Sequence, residues 1–214
     1  MILNFKNLIL LIIFASQLQA CASIDQQRVA PSYFKAYESI KGSIFGYPDK
    51  ISTNLVKNIP YASIKLQIGK GSAGLLILEQ LNEGLQTWVS ADGIRIQILE
   101  GRIIKTGGLI HNLTDYRRTN LSFEEIIKSS GLNNSTINYY SYDEPLLLDF
   151  KVSITREYIG REEVQLLGEK KELLLIKERL FNDQINWKVD NYFWVDPSDF
   201  FVWKSVQSIS PKLP

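Results

Sequence analysis

The sequence predicts an all-β protein, an antiparallel meander forming a barrel or a sheet folded on itself, with two short helices. Three observations carry that prediction. From residue 61 onward, short runs rich in β-branched and aromatic residues follow one another. Asn82-Glu83-Gly84, Asp92-Gly93 and Glu100-Gly101 lie between successive runs, and glycine at such sites supplies the positive φ that tight hairpin turns need. Ile94, Ile96 and Ile98 alternate with Arg95 and Gln97, the period of a strand with one buried and one wet face.

The N-terminus has a different character. Lys6 precedes an apolar run over 8–15, then Ser16 and Gln17, then small residues that end in Leu18-Gln19-Ala20-Cys21. This is the layout of a secretory signal. The apolar run is far shorter than the roughly 20 residues that a membrane-spanning helix needs, so residues 1–20 are read as a signal peptide that is cut. Cys21 is the sole cysteine and sits where a bacterial lipoprotein is acylated. Its thiol would carry a diacylglycerol and its freed amino group a further acyl chain. Each buried methylene contributes about 0.8 kcal/mol, and several chains together make anchoring effectively permanent. Ala20-Cys21-Ala22 also fits ordinary secretory cleavage, but an unpaired thiol in an exported protein would then be an oxidation liability.

Residues 21–31 are polar, end in Pro31 and read as an acylated tether; residues 32–214 read as a single β-rich periplasmic domain. Ser32 caps a first helix in which Tyr33, Phe34, Tyr37, Ile40 and Ile44 recur at helical spacing. Five strands are then expected at 61–68, 75–81, 86–90, 94–99 and 102–106. A second helix interrupts them, because Ser122 with Glu125 three residues on matches a capping box and Gly131 stands where the helix would stop. Strands resume at 136–142, 146–158, 163–167, 172–181, 185–195 and 200–205. About eleven strands with two short helices point to a barrel or a folded-over sheet, and closure would remove aggregation-prone edges.

Composition narrows the function. The chain has 24 basic and 23 acidic residues; losing residues 1–20 removes Lys6 and no acid, which leaves the mature chain balanced. It lacks the basic footprint that nucleic acid demands. The hydrophobic fraction of 45% and the aromatic fraction of 11% suffice for a real core.

Catalytic chemistry has thin support. His111 is the sole histidine and the sole thiol is assigned to lipid, so neither a Cys-His pair nor a histidine-rich metal centre can be built. No nucleophile-elbow or P-loop pattern is present. His111 reads as a loop residue. The acid pairs Glu124-Glu125, Asp143-Glu144 and Glu162-Glu163 could in principle serve a two-carboxylate glycosidase, but acids adjacent in sequence usually mark solvated surface. Asp196 and Asp199 flank Pro197 and are explained by turn formation. Trp88 reads as a core aromatic. Glycines at Gly101 and at Gly107-Gly108 read as bulges or close backbone contacts. The aromatic run Trp187, Tyr192, Phe193, Trp194, Phe200, Phe201 and Trp203 reads as a buried wall, with a ligand groove as the alternative. Three Asn-x-Ser/Thr tripeptides, at Asn112, Asn120 and Asn133, carry no weight in a bacterial protein, and Arg117-Arg118 is too short a patch for a polyanion.

Four segments together carry a family resemblance: the lipobox, Trp88-Val89-Ser90-Ala91-Asp92-Gly93, the Gly101 to Leu109 segment GRIIKTGGL, and Asn191-Tyr192-Phe193-Trp194-Val195-Asp196-Pro197 followed by Val202-Trp203-Lys204-Ser205. The chain resembles the YjbF/GfcB family of group 4 capsule polysaccharide lipoproteins over 59–214 plus the signal. The resemblance implies a bacterial outer-membrane lipoprotein with a β-barrel-like fold and does not itself imply an activity; no catalytic residue, cofactor or metal is expected. It further implies partners: the membrane through the lipid on Cys21, an outer-membrane β-barrel and a soluble periplasmic protein of a polysaccharide export system, and the polysaccharide itself. Ala22 in place of an aspartate after the cysteine fits release to the outer membrane, facing the periplasm. The expectation is therefore a non-catalytic accessory factor in exopolysaccharide or capsule production or export. A lipid- or glycan-binding module with an aromatic-lined barrel cavity is the alternative, and a two-acid polysaccharide hydrolase ranks third.

Overall fold

The computed structural model describes residues 51–117, 122–129 and 135–212. Cys21, the signal segment, the tether and the helix expected after Ser32 lie outside the described residues. Helix α1, Thr53–Lys57, starts where the Ser52 hydroxyl accepts a hydrogen bond from the Leu55 amide at 3.2 Å. It buries no side chain, and its polar Ser-Thr-Asn start gives no apolar periodicity by which to foresee it. Helix α2, Phe123–Lys128, is the one expected from the capping box: Ser122 Oγ accepts from Glu125 N, and the Glu125 carboxylate accepts from Ser122 N at 2.7 Å. The box satisfies two amides that the first helical turn leaves orphaned.

Eleven strands follow in the described residues. The first sheet holds β1 Ser63–Leu66, β2 Gly74–Asn82, β3 Leu85–Ser90, β4 Arg95–Leu99 and β5 Arg102–Gly107, in sequential order. The second holds β6 Leu113–Arg117, β7 Ser135–Tyr142, β8 Leu147–Leu166, β9 Glu169–Asn182, β10 Trp187–Val195 and β11 Val202–Val206, also in chain order. Every pairing is antiparallel, so the meander expected from the sequence is realised as two curled half-barrel sheets.

Two strand assignments differ from expectation. β6 was hidden because Leu-Thr-Asp-Tyr-Arg carries little apolar pattern, yet its partner β7 supplies Tyr139, Tyr140 and Tyr142 opposite it. The runs 146–158 and 163–167 are one strand, β8. Its register shifts between Tyr158 and Gly160, and Gly160 takes φ +149°, so the ladder continues through a bulge instead of ending.

Packing follows the two-residue period. Leu76, Trp88 and Ile96 centre the core of the first sheet, which confirms Trp88 as a core aromatic. On the second sheet, Leu113, Tyr140, Tyr142, Phe150, Val152, Ile154 and Leu180 form one buried cluster. Phe123 and Ile126 of α2 close over Leu174, Ile176, Phe193 and Val195 to form another.

The sheets meet where the β4–β5 turn touches β11. Gly101 has φ +74°, and a Cβ there would lie 2.2 Å from Val202 Cγ2, so both conformation and space demand glycine. Beside it Gln207 acts as a clip, its Oε1 accepting from Ile103 N at 3.0 Å and its Nε2 donating to Gly101 O at 2.9 Å.

Candidate functional site

The most concentrated chemistry among the described residues is an ion cluster buried between the sheets. Along β8, Phe150, Val152, Ile154 and Arg156 are buried at alternate positions; along β9, Leu174, Ile176, Glu178 and Leu180 are. Arg156 and Glu178 are direct cross-strand partners. Period-2 geometry thus points one cation and one anion into an otherwise apolar layer. The second cation comes from the other sheet: Arg102, at the start of β5, is carried inward by the turn at Gly101.

Glu178 Oε1 accepts from Arg102 Nε at 3.1 Å and Nη2 at 2.7 Å, and from Arg156 Nε at 2.9 Å. All three side chains are buried, with 2–4% of their surface exposed. Burial pushes the Glu178 carboxyl up, but Arg102 and Arg156 outweigh it and hold the group below the ordinary glutamate value. Arg156 Nη1 also donates to Thr136 Oγ1 at 2.6 Å. The Arg102 guanidinium carbon lies 4.0 Å from the centre of the Phe123 ring and 5.5 Å from that of Phe193, within cation–π range. Arg102 Nη1 is buried without a hydrogen-bond partner.

A cavity of about 10 Å³ lies against this cluster, lined by Arg102, Glu178, Tyr116, Tyr140, Asn191 and Gln207 among others. Desolvation keeps both phenols protonated, with Tyr140 held well above its ordinary value and Tyr116 also raised. Tyr116 Oη accepts from Asn138 Nδ2 at 2.7 Å. The cavity is on the scale of one water molecule, far below the roughly 300–1,000 Å³ of sites that hold small organic ligands.

Of the six paired acids considered from the sequence, five are engaged locally, as are Asp196 and Asp199. Glu125 completes the capping box, and Glu124 pairs with Lys128 at 2.6 Å. Asp143 accepts from Asn112 N and Nδ2, both at 2.7 Å, and these bonds lower its pKa. Glu162 accepts from Trp194 Nε1 at 2.9 Å, while its neighbour Glu163 pairs with Lys170 at 2.6 Å. Asp196 accepts from Ser198 N and Oγ and from Trp203 Nε1, and Asp199 from Phe201 N, the turn role expected of them. His111 occupies the β5–β6 loop, half-buried, with Nδ1 unpartnered. No group of three His, Cys, Asp or Glu side chains placed to hold a metal occurs among the described residues.

The aromatic run 187–203 does not form one buried wall. Phe193 and Trp194 are buried in different clusters on opposite faces of β10. Phe201 and Trp203 instead stand 47% and 40% exposed, as an edge-to-face pair 5.2 Å apart. Lys171 Nζ lies 4.5 Å from the Trp203 ring centre.

Arg102, Arg156 and Glu178 went unnoticed in the sequence. A signal for two of them existed: each interrupts an apolar series at the position where the strand's inward side chain falls.

Comparison with known proteins agrees with this architecture. The family described as "Group 4 capsule polysaccharide lipoprotein gfcB, YjbF" matches residues 37–214. Two relatives from Escherichia coli (strain K12) carry the names "Uncharacterized lipoprotein YjbF" and "Uncharacterized lipoprotein GfcB". The first is 24% identical over 194 residues, 87% of this chain and 84% of its own length. The second is 21% identical over 205 residues, 94% of this chain and 91% of its own length. The crystal structure of the hypothetical lipoprotein YmcC from Escherichia coli (K12) superposes with a TM-score of 0.65 at 19% identity, covering 80% of this chain and 87% of that one, a likeness of fold. The chain belongs to the YjbF/GfcB family of group 4 capsule polysaccharide lipoproteins.

Proposed function

We propose that this protein is a non-catalytic outer-membrane lipoprotein that serves as an accessory factor in producing or exporting an exopolysaccharide of the capsule type. The family match over 37–214 carries the reading, and the signal layout ending in Cys21 supplies the anchor. The engagement of Glu124, Glu125, Asp143, Glu162 and Glu163 in local bonds supports a scaffold in preference to a two-acid hydrolase. Acylated Cys21 would hold the domain on the periplasmic side of the outer membrane, within reach of an outer-membrane β-barrel and a soluble periplasmic partner. Deleting the gene and quantifying cell-bound and released polysaccharide tests the role. Reduced surface polymer, restored by the wild-type chain, is expected; unchanged yield and distribution would rule it out.

A second reading rests on Phe201 and Trp203. Two exposed rings at right-angled packing, with Lys171 beside them, offer apolar faces and a cation to a polymer bearing acidic sugars. This reading moves the proposed glycan contact from an interior cavity to the surface. Titrating the protein with the organism's own polymer should quench tryptophan emission, and Trp203→Ala should remove most of the quench.

A further inference from the structure

The three most exposed large hydrophobic side chains among the described residues stand at one end of the second sheet. They are Ile110, Leu146 and Leu148, with 83%, 73% and 72% of their surface in solvent. Ile110 belongs to the loop between β5 and β6, Leu146 to the turn between β7 and β8, and Leu148 to the start of β8. Tyr142 pairs with Leu113 on one side and Leu147 on the other, which puts both connections at the same end. Ile185, 53% exposed, joins them from the β9–β10 turn, because alternate turns of an antiparallel meander share an end. These loops are braced. Asn112 closes its own loop by accepting from Leu109 N at 3.0 Å and donating to Leu109 O at 2.8 Å. It also reaches the neighbouring turn, where its N and Nδ2 donate to the Asp143 carboxylate and its carbonyl accepts from Asp143 N. Asn182 Nδ2 donates to Lys151 O at 2.7 Å, and its Oδ1 accepts from Ile185 N at 3.1 Å, so the third turn is fastened to β8.

Apolar side chains held out into water by braced loops mark a contact site for a protein or a membrane. Their chemistry favours lipid. All four are branched aliphatics, whereas protein contacts are anchored by Trp, Tyr and Arg, with Leu under-represented. The charges around them give no pull toward an anionic surface: Asp149 pairs with Arg117, Asp143 is held by Asn112, and the exposed Glu144 and Asp183 are met by the exposed Lys151 and Lys188. We propose that this end of the domain rests on the bilayer, with Ile110, Leu146, Leu148 and Ile185 immersed at the headgroup–acyl boundary of a zwitterionic lipid surface. The inference rests on anchoring through Cys21. Residues 22–50 lie between that cysteine and the first described residue and reach at most roughly 100 Å. A few aliphatic side chains do not hold a free protein on a bilayer, but on a tethered domain the same contact is intramolecular and needs little affinity. Phe201 and Trp203 sit toward the opposite end, where β10 passes into β11, and in this orientation they would face away from the lipid.

Two labelled variants of the acylated chain test the contact. With the Cys21 thiol occupied by lipid, Leu146→Cys and Leu167→Cys, the latter in the β8–β9 turn at the opposite end, each offer one free thiol to a polarity-sensitive fluorophore. In vesicles of phosphatidylethanolamine and phosphatidylcholine, the label at 146 is expected to emit blue-shifted and to be quenched by spin-labelled lipid, while the label at 167 emits as in water. Adding Ile110→Ser and Leu148→Ser should remove most of that quenching and leave flotation with the vesicles unchanged. Quenching that persists in this variant would trace to the label itself and overturn the proposal. Water-like emission at 146, from a chain that floats and carries acyl chains by intact mass, would overturn the tip contact and leave the anchor standing; a chain without acyl chains would overturn both. A blue shift that spin-labelled lipid does not quench would place this end against another protein and also overturn the proposal.

Discussion

Arg102 and Glu178, 76 residues apart in sequence, are joined by two hydrogen bonds of 3.1 and 2.7 Å that tie the start of β5, the last strand of one sheet, to β9 within the other. Breaking a buried pair from one side costs more than the pair contributes, because the partner is left charged and unpaired. Glu178→Gln is therefore expected to destabilise the domain by about 3–5 kcal/mol in urea unfolding. Replacing Arg102, Arg156 and Glu178 together by apolar residues of similar volume should recover most of that loss. A triple variant as unstable as Glu178→Gln would mean that the cluster does more than satisfy its own charges.

The same carboxylate sets a pH dependence. Its folded pKa lies below the ordinary value of 4.5, so its contribution is fully present above pH 4.5 and is lost as pH falls through the depressed folded value. Chemical-denaturation curves should show stability declining below about pH 4.5, and Glu178→Gln should flatten that limb. An unaltered slope in the variant would assign acid unfolding to other groups.

Gly101 and Gly84 form a natural comparison. Both have positive φ, +74° and +84°, but a Cβ at Gly84 meets nothing nearer than 3.9 Å, whereas at Gly101 it overlaps Val202. Gly84→Ala should cost only the conformational penalty of about 1–2 kcal/mol. Gly101→Ala should cost measurably more, and Val202→Ala should relieve part of the excess in a double-mutant cycle. Equal losses at the two sites would show that the sheets yield freely at this contact.

Ser122→Ala removes the N-cap of α2 and is expected to destabilise by about 1 kcal/mol. Because Phe123 and Ile126 of that helix are buried against β9 and β10, the loss should appear in global unfolding instead of local fraying. Hydrogen exchange confined to 122–129 would contradict this.

Cys21→Ser should abolish acylation and move the protein from the membrane fraction to the soluble periplasmic fraction. Intact-mass measurement of the wild-type product should find acyl chains at residue 21; an unmodified residue 21 would remove the anchor from the functional reading.

Features governed by neighbours in sequence were legible before the structure. The glycine turns at Gly84, Gly93 and Gly101 all adopt positive φ, and the Ser122–Glu125 box forms as its spacing implies, because each depends on a few consecutive residues. β6 and the continuity of β8 were not legible, since a strand with a weak apolar pattern is defined by the partner that pairs with it and a bulge lets a ladder run past a glycine. The Arg156–Glu178 pair left a partial trace as charges at inward positions of β8 and β9. Arg102 left none, because nothing in its own run distinguishes a wet arginine from a buried one.

The sequence by itself determined the antiparallel meander, the positions of its turns, the capped helix and the family, all of which follow from local periodicity and short motifs. Only the tertiary structure decided that the strands divide into two sheets, that Gly101 must admit Val202, and that three charged side chains meet in the interior. Those outcomes depend on which distant surfaces come into contact, and burial changes the meaning of a charge only after that contact is made.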